Sequence, residues 1–517
     1  MILMIHQYDQ VVSVRDLNNL KELSLVDTQV NKAICQLAKN FPDRWIIWVR
    51  QDYEQYLNLE ALRDVFHHKG LIVSYAVASQ YLPEQIGYVD QSCFIKVNRE
   101  VCYPTWLMSA DAGGMHAELI TEFQMHFDIS HQLDYSLNSL AKTYIQHGLF
   151  CYSNPLLILS IPPENKLSGH MPVRSLFGFV RQHYRLKWLF MLFYFFLKYE
   201  KKVPLWSLIS HLLSSKRVNR KDVKVPSEVK SSRTVGNSQN YDVVIPTLGR
   251  KTHLYNYLKD LSGQLIRPNQ VIIVEQNPDK DSQSELDYLD SESWPFQIKH
   301  HFIHQLGACN ARNLAFKDTR SEWVVLGDDD IRVNPDLYPG MIDQAIKYGV
   351  KSVIGHCPEP GKTNLFPEVG QTTIFGSGLA VIHCSLLKKV SFDLDYEFGY
   401  GEDNDFGMQI RNSGEDVLYL PNSEITHLKV SSGGFRTPFE HPWNEERVKP
   451  KPSPTVMLNK KKYLTTEQRR AYRFILWMDV LKGSFRRLNF RPWFQFATAW
   501  KTSDKWADHL LQRSEKV

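Results

Sequence analysis

The chain has 517 residues, 43% hydrophobic and 23% charged, which excludes a disordered or collagen-like protein and predicts about three domains at ~150 residues each. Its seven cysteines are scattered without a CxxC pair, so neither a disulfide framework nor a zinc knuckle is expected, and a reducing compartment fits. The net charge of +5 is uneven: Lys198–Arg233 holds ten basic and three acidic residues and Arg447–Val517 seventeen and five, leaving an acidic remainder.

In chain order, the start Met1-Ile-Leu-Met-Ile lacks the basic head and long apolar stretch of a signal peptide. Ile2–Ile5 and Trp45–Val49 read as strands. The longest apolar run, Trp188–Leu197, is ten residues against the ~20 of a spanning helix, so no transmembrane helix is expected. Both basic segments carry aromatic clusters. In the second, Phe474, Trp477, Met478, Leu481 and Phe485 lie at helical spacing among Arg469, Arg470, Arg473, Arg486 and Arg487. Two readings stay open for these helices: contact with an anionic membrane surface, or burial of their apolar faces against neighbouring domains. No nucleic-acid-binding motif is present, so nucleic acid is not an expected partner.

Ser214–Asn240 is basic, Ser-rich and without apolar periodicity, which predicts a linker. Beyond it, Asp242–Ile245, Val271–Val274, Ile298–Phe302 and Trp323–Leu326 read as strands. Leu254, Tyr257, Leu258 and Leu261 form one helical face. The alternation predicts a mostly parallel sheet with helices on both faces, where ligands bind beyond the carboxyl ends of the strands. Pro246–Arg250, Glu275 and Asp328–Asp330 all follow strand ends.

Three adjacent carboxylates, Asp328, Asp329 and Asp330, repel one another and call for a cation. Asp328 and Asp330, two apart at a strand end, face the same side, and such oxygen ligands suit Mg²⁺ or Mn²⁺ beside a diphosphate. A solvated acidic turn is the alternative. In Phe398-Gly-Tyr-Gly-Glu-Asp-Asn-Asp405 the glycines admit a ligand near the backbone, whereas Glu402, Asp403 and Asp405 also suit a helix N-terminus without any ligand. His427 precedes the glycine-rich turn Ser431–Arg436 and reads as either a structural residue or a ligand.

The order Pro246-Thr-x-Gly-Arg250, Gly307-Ala-Cys-Asn-Ala-Arg-Asn313, Asp-Asp-Asp, Gly-Glu-Asp and His…Gly-Gly-x-Arg resembles the family-two glycosyltransferases over about Tyr241–Arg436. The resemblance implies an α/β GT-A fold, a mixed, mostly parallel sheet flanked by helices that binds a nucleotide-diphospho-sugar. It implies donor contacts at Pro246, Thr247, Arg250, Glu275, Gly307, Arg312, Asn313, Asp328, Asp329 and Arg436. Metal ligands fall on Asp328, Asp330 and His427 with Mn²⁺ or Mg²⁺ as cofactor, and the catalytic base on Asp403 with Glu402 in reserve. Glu275 stands where the family more often has Asp. The activity implied is inverting transfer from a nucleotide-sugar, a UDP-sugar favoured, to a hydroxyl of a saccharide or lipid-linked acceptor in surface polysaccharide or glycoconjugate synthesis. That setting implies a cytoplasmic protein, peripheral on the inner face of the cell membrane if its basic helices bind lipid.

The front of the chain reads either as a repeat of the pattern without its acids or as the chance similarity of two α/β domains. Trp45–Asp52 aligns with Trp323–Asp330, with Arg50 and Gln51 replacing Asp328 and Asp329, and Leu137–Pro155 aligns without gaps against Asp403–Pro421. Leu137 falls opposite Asp403, and Ile2–Ile5 echoes the second strand, Ile272–Val274. The expected organisation is therefore a degenerate, non-catalytic GT-A-like domain over 1–170, aromatic amphipathic helices over 171–214 and a linker over 215–240. A catalytic domain over 241–440 and a basic helical region over 441–517 follow. The rival reading is a non-enzymatic GT-A-like scaffold in a membrane-associated polysaccharide assembly complex.

Overall fold

The computed structural model describes residues 1–24, 27–161, 170–214, 229–358, 364, 366–430 and 439–514. Arg436 and most of the expected linker lie outside these residues. Met1–Arg233 with Leu464–Phe474 forms one compact unit, and Thr234–Tyr463 with Ile475–Val517 a second.

The first unit is built on strands β1 (Ile2–Gln7), β2 (Gln10–Asp16), β3 (Lys21–Glu22), β4 (Trp45–Arg50), β5 (Leu71–Tyr75), β6 (Tyr103–Pro104), β7 (Ala112–His116) and β8 (Phe150–Ser153), in the order β3-β2-β1-β4-β7-β5-β8-β6. The second has β9 (Tyr241–Thr247), β10 (Gln270–Gln276), β11 (Gln297–Ile303), β12 (Trp323–Gly327), β13 (Ile331–Arg332), β14 (Ser352–His356), β15 (Gly370–Gln371), β16 (Leu379–His383), β17 (Leu418–Glu424) and β18 (Thr426–His427). Its main sheet runs β11-β10-β9-β12-β16-β14-β17-β15, and β13 pairs with β18 in a separate ribbon. Both sheets mix parallel and antiparallel pairs.

From β1 to β6 and from β9 to β15 the two sheets share strand order and pair directions. The registers agree as well. Trp45 faces His116 as Trp323 faces His383, and both pairs meet edge-on, with ring centroids 5.3 and 5.1 Å apart. Val73 lies opposite Tyr152 as Val353 lies opposite Leu418, the spacing of the gap-free alignment. The sheets differ beyond β1 and β9. There the first unit carries an antiparallel hairpin, β2–β3, where the second carries the parallel strands β10 and β11.

That hairpin corrects the reading of Ile2–Ile5. β1 pairs with β4 as β9 pairs with β12, so it holds the place of β9 and not of β10. His6 and Gln7 consequently stand where Pro246 and Thr247 stand.

In the second unit, β9, β10 and β12 are buried on both faces, as parallel strands between helical layers must be. Helix Lys251–Ser262 buries the four expected residues, Leu254, Tyr257, Leu258 and Leu261. Helices Pro454–Tyr463 and Arg491–Ser514 add a smaller core of Met457, Leu458, Ala507 and Leu510 around Tyr396 and Trp443. This core backs the loop before Glu402, where Thr455 accepts the Tyr400 N–H.

The apolar run at 188–197 forms helix Leu186–Phe195 and a following π-turn, with Leu189, Leu192, Phe195 and Phe196 in the first unit's core. No helix among the described residues is long and apolar enough to cross a membrane. In helix Thr466–Arg487, Phe474 packs on Tyr194 and Phe195, and Arg470 lies over the Tyr199 ring and donates to the Tyr88 hydroxyl. Arg470 is thereby held against its own unit.

Candidate active site

The carboxyl ends of β9 and β12 open into a cavity of about 320 Å³. Pro246, Thr247, Arg250, Gly307, Arg312, Asp328, Asp329, Asp330, Glu402, Asp403 and His427 line it, so the topology gathers eleven expected residues from five chain segments.

The charges of the acidic triplet are divided among different partners. Asp329 is buried and accepts from the Thr247 hydroxyl at 2.7 Å and from Arg250 at 2.6 Å, which ties the Pro-Thr turn to β12. Burial pushes its carboxyl up to about 6 against the opposing pull of Arg250. Asp328 pairs with Arg312 at 2.9 Å. Burial opposes the charge of Arg312, but Asp328 and Asp403 outweigh it and hold the guanidinium protonated. Gly378 admits Asp328 closely, since a Cβ there would lie 2.6 Å from its Oδ2.

Asp330 meets His427 because β13 pairs with β18, placing Ile331 opposite His427. Its Oδ1 lies 3.1 Å from His427 Nε2, its Oδ2 accepts from the Val430 N–H, and Arg250 approaches to 3.3 Å. This ribbon joins groups 97 positions apart in the chain.

Asp403 and Glu402 open helix Glu402–Asn412. Asp403 accepts from the Ser377 N–H at 3.3 Å, and its burial raises its pKa although Arg312 pulls the other way. Glu402 is pushed up to about 7 by burial and by the adjacent Asp403. Both therefore hold protons more readily than ordinary carboxylates. Asp405 has a different task. It is buried, accepts from Tyr463 and pairs with Lys462, so it pins the helix from behind.

Three expected donor residues are not among the cavity lining. Glu275 accepts from Ser284 at 2.5 Å and pairs with His300 at 2.9 Å, which bridges β10 and β11. Asn313 makes two hydrogen bonds to the Phe392 backbone and so serves the loop ahead of Phe398. Arg436 lies outside the described residues.

The structure also adds residues that spacing did not reveal. Glu397 accepts the N–H groups of Cys309 and Asn310 at the start of helix Ala308–Phe316, satisfying donors that a helix N-terminus leaves open. Gly307 sits at φ +138°, and a Cβ there would fall 2.3 Å from the Glu397 carboxyl carbon, so only glycine fits. Gln276, Ser377 and Phe398 complete this wall.

Asp328, Asp330 and His427 suit a divalent cation in donor chemistry, offering carboxylate oxygens and an imidazole on one cavity wall. Among the described residues no three His, Cys, Asp or Glu side chains already converge on one point. Asp330 and His427 meet, while Asp328 faces Arg312.

Residues 242–390 match the family described as Glycosyl transferase family 2. The match stops short of Glu402, Asp403 and His427, whose place rests on the geometry. No curated protein matches the chain. Solved structures with similarity include S. aureus TarS 1-349 in complex with UDP-GlcNAc (TM-score 0.35, 16% identity, 45% of this chain and 70% of that one). Another is mannosyltransferase PcManGT from Pyrobaculum calidifontis in complex with GDP-Man and Mn²⁺ (TM-score 0.33, 15% identity, 55% of this chain and 82% of that one). The chain covers 59% of a further TarS 1-349 structure, at TM-score 0.30 and 16% identity. Residues 242–390 are thus the part of the chain that matches glycosyl transferase family 2.

Proposed function

We propose that the second unit transfers a sugar, with inversion, from a nucleotide-diphospho-sugar, a UDP-sugar foremost, to a hydroxyl of a saccharide or lipid-linked acceptor. One observation carries this reading: a single cavity holds the acidic triplet, two arginines, His427 and the Glu402–Asp403 pair. The acceptor oxygen attacks the anomeric carbon as the bond to the diphosphate breaks, and that bond's electron pair leaves with the phosphate oxygen. Asp403 takes the hydroxyl proton. Arg250 and Arg312 bring fixed positive charge to the cavity, and Thr247 is oriented by Asp329. Asp328, Asp330 and His427 would hold Mn²⁺ or Mg²⁺, which supplies Lewis-acid neutralisation of the diphosphate. Surface polysaccharide or glycoconjugate synthesis, in the cytoplasm and in peripheral contact with the inner face of the membrane, belongs to the same proposal.

An aromatic stack supports a saccharide acceptor. Phe398, in the cavity lining, lies 4.1 Å from the half-exposed Phe439, with rings 11° from parallel. Such faces suit the C–H side of a sugar ring. Phe439→Ala is expected to raise the acceptor KM severalfold with little change in the donor KM, measured in steady-state assays. An equal rise in both would sink this role.

The first unit we read as a non-catalytic copy. Arg50 stands where Asp328 stands, fixed by Asp111 at 3.1 Å, Asp52 at 3.4 Å and the Tyr53 hydroxyl at 2.6 Å. A guanidinium held in this way takes the place of a metal ligand. Calorimetric titration of UDP with Mn²⁺ is accordingly expected to show one site per chain, lost on omitting Mn²⁺ and in Asp330→Ala. Two equivalent sites would overturn the non-catalytic assignment. Silence with UDP, GDP and dTDP alike would favour the scaffold reading.

A further inference from the structure

Helices Leu186–Phe195 and Leu205–Ser214 both pack on helix Val173–His183, burying Leu189, Leu192, Phe195 and Leu208. A helix needs one apolar stripe for such packing, and the opposite stripe is ordinarily polar. Here it is apolar as well. Leu186, Phe190 and Tyr194 run along the outer side of the first helix and Leu197 continues the row in the π-turn, at steps of four, four and three residues, all of them exposed although one side of Tyr194 rests on Phe474. Leu205, Trp206, Ile209 and Leu213 do the same on the second, with Trp206 71% and Leu213 85% exposed.

The exposed charges carried by these two helices and the turn between them have one sign. Arg185, Lys187, Lys198, Lys201 and Lys202 are exposed. The one acid between Arg185 and Leu213, Glu200, accepts from Gln85 and from Tyr88 within the unit. Two exposed apolar rows on neighbouring helices mark an interaction site. A second copy of the chain is a poor occupant, because it would bring two sets of five cations together. An anionic bilayer meets both demands, with acyl chains for the apolar stripe and phosphates for the lysines. Trp206 and Tyr194 suit the boundary between them.

We propose that the outward face of helices Leu186–Phe195 and Leu205–Ser214 docks in the headgroup layer of an anionic membrane. The proposal deepens the membrane contact of the function proposed above, resting on that reading for the acceptor alone, and places the contact on this face in preference to Arg470, which is engaged within the fold.

The test is co-sedimentation of the full chain with phosphatidylcholine vesicles, with and without phosphatidylglycerol. Binding is expected with phosphatidylglycerol and is expected to weaken as salt rises. The triple variant Phe190→Ser, Trp206→Ser, Leu213→Ser alters exposed side chains only, and its fold is checked by circular dichroism. It is expected to lose about tenfold or more in vesicle partitioning while binding UDP with Mn²⁺ like the parent. Undiminished vesicle binding by that variant overturns the proposal, as does absence of binding by the parent. Concentration-dependent self-association of the parent, abolished in the variant, would make the face a chain–chain interface and also overturn it. Vesicle binding by a parent that ignores every nucleotide would defeat the transferase reading and leave the membrane face standing.

Discussion

Asp403→Asn is expected to lower kcat for sugar transfer by about 10²–10⁴-fold, the range for a positioned general base, with UDP affinity unchanged. The amide keeps the shape of the carboxylate and can still accept the Ser377 N–H, so the helix start and the loop stay in place. What it loses is proton uptake. Arg312 keeps Asp328 as its partner, which leaves the donor side of the cavity intact. Glu402→Gln is the companion variant, since Glu402 lines the same cavity with a carboxyl pushed up to about 7. Its expected loss is smaller. The measurement is the single-turnover transfer rate beside calorimetric UDP binding for both variants. Greater damage from Glu402→Gln would exchange their roles, and lost UDP binding in Asp403→Asn would make Asp403 a donor-site residue.

The strands bearing the acids were legible because parallel strands between helical layers are apolar on both faces, so Trp323–Leu326 announces a core strand and its end. The face of helix Lys251–Ser262 was equally plain from its spacing. Partners set by long-range pairing were hidden. Nothing local ties His427 to Asp330, because the ribbon β13–β18 is two residues long on each side. Glu397 precedes a glycine-rich stretch, and its partner is a helix start 88 positions earlier. Glu275 and Asn313 show the converse. Each occupies a motif position, yet each spends its hydrogen-bonding groups on the frame of the site. The hairpin β2–β3 misdirected the reading of Ile2–Ile5, since short apolar strings fit either of two neighbouring strands until pairing decides.

The same long-range logic yields the largest expected effect on stability. The gap-free alignment sets Leu137 opposite Asp403, but the contact itself is made by Asp134. Its Oδ1 accepts the Ala110 N–H at 2.8 Å, and Ala110 precedes β7 as Ser377 precedes β16. Helix Leu133–Tyr144 begins early enough to bring this acid to the post one turn ahead of Leu137. Asp134 is partly buried, and the loss of solvent around it, reinforced by Asp111, pushes its carboxyl from the ordinary 3.8 to about 7. A folded pKa above the unfolded one favours the protonated form in the fold. The resulting stability is complete below about pH 4 and is lost as pH rises through 7, a difference of roughly 4 kcal/mol from a shift of about three units. Asparagine can make the same Ala110 contact and never ionises. Asp134→Asn is therefore expected to stabilise the first unit at pH 8 by a few kcal/mol and to do much less at pH 5. Native-state hydrogen exchange of β4 and β7 amides, corrected for intrinsic rates, reads that unit separately. Equal effects at both pH values would show that Asp134 stays ionised in the fold, and that Arg50 compensates it as fully as it compensates Asp111.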